Sequence, residues 1–153
     1  MTIDDLKTLM DEFEPGTLLP ELDTVMGKME LIMRIAVIIG PIVLLTLGLA
    51  YLFLPPKEAN HYFGYRCYFG MGSVDAWRFT QRLAGIVWSV LGLGLTVVML
   101  MTSGGFRGME VMPMVELAVK CVLWQAGLVL ASWLAINTIV ALRYDAKGKL
   151  RKR

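Results

Sequence analysis

One histidine and two cysteines in 153 residues leave little of the chemistry on which enzymes and metal sites are usually built. Cys67 lies in a loop and Cys121 opens an apolar run, so the pair has neither the spacing of a disulfide framework nor that of a metal site. Both read as free structural thiols. With His61 and Asp75 as the only neighbouring polar candidates, Cys67 forms no arrangement that nucleophilic or acid–base catalysis would need. No catalytic residue, metal ligand or cofactor is therefore assigned. The chain also lacks the basic start and immediate apolar segment of a cleavable signal peptide, opening instead with some 30 mainly polar and acidic residues. The first apolar run is accordingly expected to remain as an anchor. The short apolar–polar alternations of a membrane β-barrel are missing as well.

What the sequence has is apolar length. Hydrophobic residues make up 56% of it, and its mean hydropathy is +0.60. Ile35 to Leu54, Leu83 to Phe106 and Cys121 to Leu142 each contain no charged residue. Each run reaches the roughly 20 residues that a helix needs to cross a ~30 Å hydrocarbon layer. A buried helix of a soluble core would be shorter and would keep a polar stripe. The fold class is therefore all-α: an integral membrane protein with three transmembrane helices, preceded by an acidic amphipathic helical segment. The organisation that follows is an acidic segment over 1–30, a transmembrane domain over 31–142 and a basic tail over 143–153.

Basic residues on short flanks resist translocation and so set orientation. Lys57, Arg66, Arg78 and Arg82 in the first loop share a side with Arg143, Lys147, Lys149, Arg151, Lys152 and Arg153 in the tail, against Lys7, Lys28, Arg34, Arg107 and Lys120 on the other. The N-terminus is thus expected outside and the C-terminus in the cytoplasm. The tail's cations suit anionic lipid headgroups, each worth about 1 kcal/mol near the surface; nucleic acid is not expected as a partner.

In the acidic segment Ile3, Leu6, Met10 and Phe13 recur at helical spacing, Glu14-Pro15-Gly16 interrupts them, and Leu18, Leu22, Val25, Met26 and Met29 resume the pattern. These helices are read either as a solvated cap or as a partner surface. Gly40-Pro41 is expected to kink the first span and Pro55-Pro56 to end it. Ser73 suits an N-cap for the second helix, with Asp75 facing its positive end. The small residues Gly85 with Ser89, and Gly127 with Ala131 and Ala135, are expected to bring the second and third helices together. Gln125, Ser132, Asn137 and Thr138 need partners inside the bilayer, either across helices or in a polar ligand cavity. No ionisable residue sits centrally in a span, which argues against a transporter or channel pathway. Because three helices close poorly, self-association or a membrane protein partner is expected.

The first loop, PPKEANHYFGYRCYFGMGSVDAWRFTQRLAG, interleaves aromatics, glycines and arginines. Tyr62, Phe63, Tyr65, Tyr68, Phe69 and Trp77 suit the headgroup level, Gly64, Gly70 and Gly72 permit tight turns, and Arg66, Arg78 and Arg82 can fork onto a phosphate or carboxylate. Physics alone allows a plain interfacial anchor. The order of residues, however, resembles the C-terminal domain of the SdpI family of small bacterial membrane proteins. Its signature runs Gly-x-Arg-Thr, then Ser or Thr, an acidic or Asn position, Trp, His or Asn followed by Arg or Lys, and a small residue. The matching positions are Gly64, Arg66, Asp75, Trp77, Arg82 and Gly85. Cys67 stands where the family usually has Thr, Gly70 where a hydroxyl is common, and Gln81 where His or Asn is common. The resemblance is read over roughly Ile35 to Leu142.

The resemblance implies a bacterial plasma-membrane protein conferring immunity to a membrane-active peptide toxin by binding, with a signalling role through a membrane-held repressor. Arg66 and Arg82 would grip anionic groups, Trp77 would offer a flat apolar surface, and the acidic outer segment would attract a cationic peptide. The alternative is a lipid-binding or scaffolding subunit of a membrane complex.

Overall fold

The computed structural model describes residues 15–57 and 63–151, with side chains from Thr24 onward. The acidic helix read through Ile3 and Phe13 lies outside the described residues, as does His61. The rest is helical: α1 (Pro15–Phe53), a 3₁₀ turn (Phe69–Met71), α2 (Val74–Gly104) and α3 (Val111–Arg143). All three long helices have the length and apolarity to cross a membrane. At 1.5 Å per residue the 39 residues of α1 exceed the ~30 Å hydrocarbon layer by nearly a factor of two, so it continues well beyond one face.

α1 and α2 form the tight pair. Their contact is built from small residues in antiparallel register: Gly85 faces Leu52, Gly48 faces the Ser89 backbone, and Gly92 faces the Leu45 backbone. A methyl group at Gly92 would lie 2.5 Å from the Leu45 nitrogen, so the glycine sets how closely the helices approach. Gly85 and Ser89 were expected to face α3, and the structure turns them to α1. Gly127, Ala131 and Ala135 do not pack against α2 either. All three are exposed, with open space around the Gly127 α-carbon. Composition marks a close-packing stripe without naming its neighbour.

α1 runs unbroken through Pro41, which lies fully buried. Proline leaves the carbonyl four residues earlier, that of Val37, without its helical donor. The Gln125 amide supplies it from α3, its Nε2 donating to the Val37 oxygen at 2.9 Å. Gly40 makes room, since a methyl group there would lie 2.9 Å from Gln125 Oε1. An orphaned backbone acceptor in a bilayer is costly, so this bond ties α3 to α1 within the apolar spans. Two further polar groups of the spans are engaged: Trp88 Nε1 donates to Ser132 Oγ (3.2 Å), and the Thr138 hydroxyl donates within its own helix, whereas the Ser89 hydroxyl is buried at the α1–α2 contact without a hydrogen-bond partner among the described residues.

Two cores fill the bundle. On the side of the α2–α3 connection, Val37, Met99, Phe106, Met114, Ala118 and Cys121 pack with Met29, Met33 and Met109. Towards the first loop, Tyr51, Tyr65, Cys67, Ala76, Ala84, Ile136, Val140 and Tyr144 form the second. The tail does not trail away. Tyr144 and Leu150 form an antiparallel bridge, Asp145 Oδ1 accepts from the Lys147 and Lys149 amides, and Gly148 turns the chain at φ 68°.

Candidate functional site

The loop between α1 and α2 is pinned to the bundle by its own sequence. α1 ends ahead of Pro55-Pro56, and the Trp77 Nε1–H donates back to the Pro56 carbonyl at 3.0 Å. Trp77 is completely buried, so the flat surface expected of it is spent inside the protein. Gly64 lies on this indole at φ 118°, where a methyl group would come within 2.8 Å of the ring. Both the backbone angle and the space require glycine.

The next residue carries the anchor. Tyr65 N donates to Gln81 Oε1 (2.8 Å) and Gln81 Nε2 donates to the Tyr65 carbonyl (2.7 Å), a two-point amide clamp across a fully buried side chain. The Tyr65 ring meets Trp88 edge to face at 5.2 Å. Its hydroxyl donates to the Trp133 carbonyl (3.3 Å) and accepts from Asn137 Nδ2 (3.1 Å). Burial pushes the hydroxyl's pKa up, against a smaller downward pull from Asn137, so it remains a donor. Tyr65 was read as a headgroup-level aromatic; it is a plug that joins loop, α2 and α3.

The loop then turns over Cys67. Gly70 presses against the sulfur and Thr80, leaving no room for a side chain. Burial raises the thiol's pKa, partly offset by the Gly70 amide and the Thr80 hydroxyl, so the group is a poor nucleophile at neutral pH. Ser73 caps α2 as expected, accepting from the Ala76 amide at 3.1 Å. Its hydroxyl also donates to the Gly148 carbonyl (2.8 Å), which docks the tail hairpin on the loop. The loop and tail therefore share one end of the bundle.

The charged members of the motif face outward. Arg66, Asp75 and Arg82 are exposed. Arg66 lies within electrostatic reach of Tyr51, and Arg82 lines a cleft of about 170 Å³ with Lys57, Arg78, Pro55 and Pro56. Asp75 sits in the first turn of α2, and Gly85 is buried against Leu52. Of the expected site residues, Gly64, Trp77 and Gly85 thus shape the scaffold, while Arg66, Asp75 and Arg82 are displayed on it. Both side-chain ion pairs found among the described residues, Arg34–Glu30 and Lys120–Glu116, lie towards the opposite end of the bundle. No cluster of three metal-ligating side chains occurs among the described residues.

Tyr65 and Gln81 were named in the sequence, one as a headgroup-level aromatic and the other as a departure from the family signature, but their pairing was not foreseen. The available signal was helical register, because Gln81 follows Trp77 by four residues and precedes Gly85 by four, on the face that packs inward.

These features define a multi-pass helical membrane protein whose first inter-span loop is locked onto its own bundle, presenting cations from a rigid base. The chain belongs to the SdpI/YfhL protein family, whose model matches residues 57–141, more than half of its length. The match takes in the loop from Lys57 onward, all of α2 and nearly all of α3; α1 and Pro55-Pro56 stand outside it, although the resemblance had been read from Ile35. No curated protein and no solved structure matches the chain.

Proposed function

We propose that the protein confers resistance to a membrane-active peptide by binding it without turnover, from a bacterial plasma membrane in which the N-terminus is outside and the C-terminus cytoplasmic. The observation that carries this reading is the family match over the latched loop and the two helices after it. Exposed Arg66 and Arg82 hold anionic groups at the cytoplasmic face, and Gly64, Trp77 and Gly85 fix the surface that displays them. Inside the bilayer, a groove of about 550 Å³ bounded by Pro41, Leu44, Trp88, Gln125 and Trp133 opens between the helices. A peptide lying in the membrane meets its aromatic and apolar walls. The acidic residues before α1 attract cationic peptides from outside.

The test is survival of toxin-sensitive bacteria expressing the protein and challenged with membrane-active peptides, with Arg66→Ala, Arg82→Ala and Arg107→Ala at matched membrane abundance. Arg107 is exposed in the α2–α3 connection, away from the loop. Protection by the parent and Arg107→Ala, with loss in the other two, supports the proposal. Absence of protection across a broad peptide panel overturns it, and equal protection by all variants overturns the role of the loop arginines.

A further inference from the structure

At the same end of the bundle, a second depression lies between α2, α3 and the tail hairpin. It measures about 450 Å³ and is lined by Phe79, Ile139, Leu142, Arg143, Leu150 and Arg151. We propose that it is a binding site for one anionic phospholipid.

The lining is ordered by depth. Arg143 is the last residue of α3, so Ile139 and Leu142 lie in the turn below it, on the bilayer side. A ligand entering from the membrane meets apolar walls first and guanidinium groups at the headgroup level, the order of acyl chain and phosphate in a phospholipid. Both arginines are pre-positioned. The Arg143 guanidinium lies 4.3 Å over the Phe79 ring, and Arg151 lies 5.9 Å from the Phe69 ring with its Nε donating to the Tyr144 carbonyl at 3.2 Å. A guanidinium held by its flat face keeps its N–H edge for a phosphate, and a planar fork reaches two oxygens at once.

Charge complementarity selects an anion. No carboxylate lines the groove, and the nearby Asp145 directs Oδ1 to the backbone of its own turn. The apolar walls then select a lipid over a free phosphate. The Lys57, Arg78 and Arg82 cleft is the useful contrast, since it has the cations but only two prolines as apolar lining. Leu142 and Leu150 are well exposed, at 69% and 62%, and a bound acyl chain covers them.

The full-length protein is purified in a neutral detergent and exposed to equimolar phosphatidylglycerol and phosphatidylcholine, and retained lipid is counted by native mass spectrometry. The expected result is one retained phosphatidylglycerol, preferred about tenfold, because both lipids offer the phosphate but only phosphatidylcholine brings a choline cation towards the two guanidinium groups. Arg143→Gln should bring the preference close to unity, and Arg107→Gln should leave it unchanged. Arg143→Lys, which keeps the charge and loses the fork, should fall between. Equal retention of both lipids by the parent, or an undiminished preference in Arg143→Gln, overturns the proposal. Displacement of phosphatidylglycerol by equimolar inorganic phosphate also overturns it, leaving a simple anion site.

Discussion

Replacing Gln81 by leucine preserves most of the side chain's bulk while removing both partners of the Tyr65 backbone. The Tyr65 N–H and carbonyl meet the Gln81 amide at 2.8 and 2.7 Å around a side chain with no exposed surface, so water cannot replace what is lost. Each buried group left unpaired costs about 1–3 kcal/mol, giving about 2–6 kcal/mol for the pair. That energy falls on one local event, the lifting of the loop from α2, because the clamp joins only those two elements. At about 1.4 kcal/mol per decade, the lower bound already raises the open population about thirtyfold. Cys67 reports the opening. Its thiol is buried two residues beyond Tyr65, and burial also keeps it protonated, so reaction with a maleimide in the folded protein should be slow. In a Cys121→Ala background in detergent, Gln81→Leu should accelerate labelling of Cys67 by at least that factor, whereas Arg78→Gln on the exposed face of the same helix should leave it unchanged. Equal labelling rates for Gln81→Leu and its parent would refute the clamp as the element that holds the loop.

Three further outcomes follow from the packing. Gln125→Leu should destabilise the protein by about 1–3 kcal/mol in detergent unfolding, and by less in a Pro41→Ala background, where residue 41 regains the amide that Val37 needs; additive effects would exclude the pairing. Gly92→Ala should lower the melting temperature by forcing α1 and α2 apart, whereas Gly127→Ala, with open space at its α-carbon, should not; equal effects would refute the assignment of the helix interface. Trp77→Ala should cost about 3–5 kcal/mol and release the loop, measured by unfolding and by Cys67 labelling together, as expected for a buried post and not for a contact surface.

The three crossings were legible because an uncharged run of some 20 residues has few other uses. Their ends were less so. α3 begins at Val111, ten residues before the apolar run at Cys121, because Glu116 and Lys120 lie one turn apart and are tolerated at a helix edge. Ser73 was readable as a cap because capping is a local matter of a few residues. The partners of Gly85, Gln125 and Tyr65 were not, since each is decided by an element distant in the chain. Gln125 was visibly a polar group in need of a bond, but only the structure connects it to the acceptor that Pro41 leaves open. Arg66 and Arg82 were read as cations displayed by the loop, and both side chains lie exposed, while Trp77 illustrates the ambiguity of an aromatic at a membrane boundary: the same residue type serves as an interfacial anchor or as the floor beneath a loop. The tail, read as a basic extension, also contained a turn signal in Asp145 and Gly148 that its charge obscured.

The hydrogen bond from Ser73 to Gly148 has a consequence for biosynthesis. A ribosome makes the loop long before it makes the tail, because synthesis runs from the N-terminus. When the first two helices have entered the membrane, Tyr65 still lacks Trp133 and Asn137, and Ser73 lacks its contact on the hairpin. The loop can therefore reach its final form only after almost the whole chain has been translated. A nascent chain interrupted before Tyr144 would hold its helices but not the finished surface at this end of the bundle, so completeness of synthesis is built into the shape of the loop.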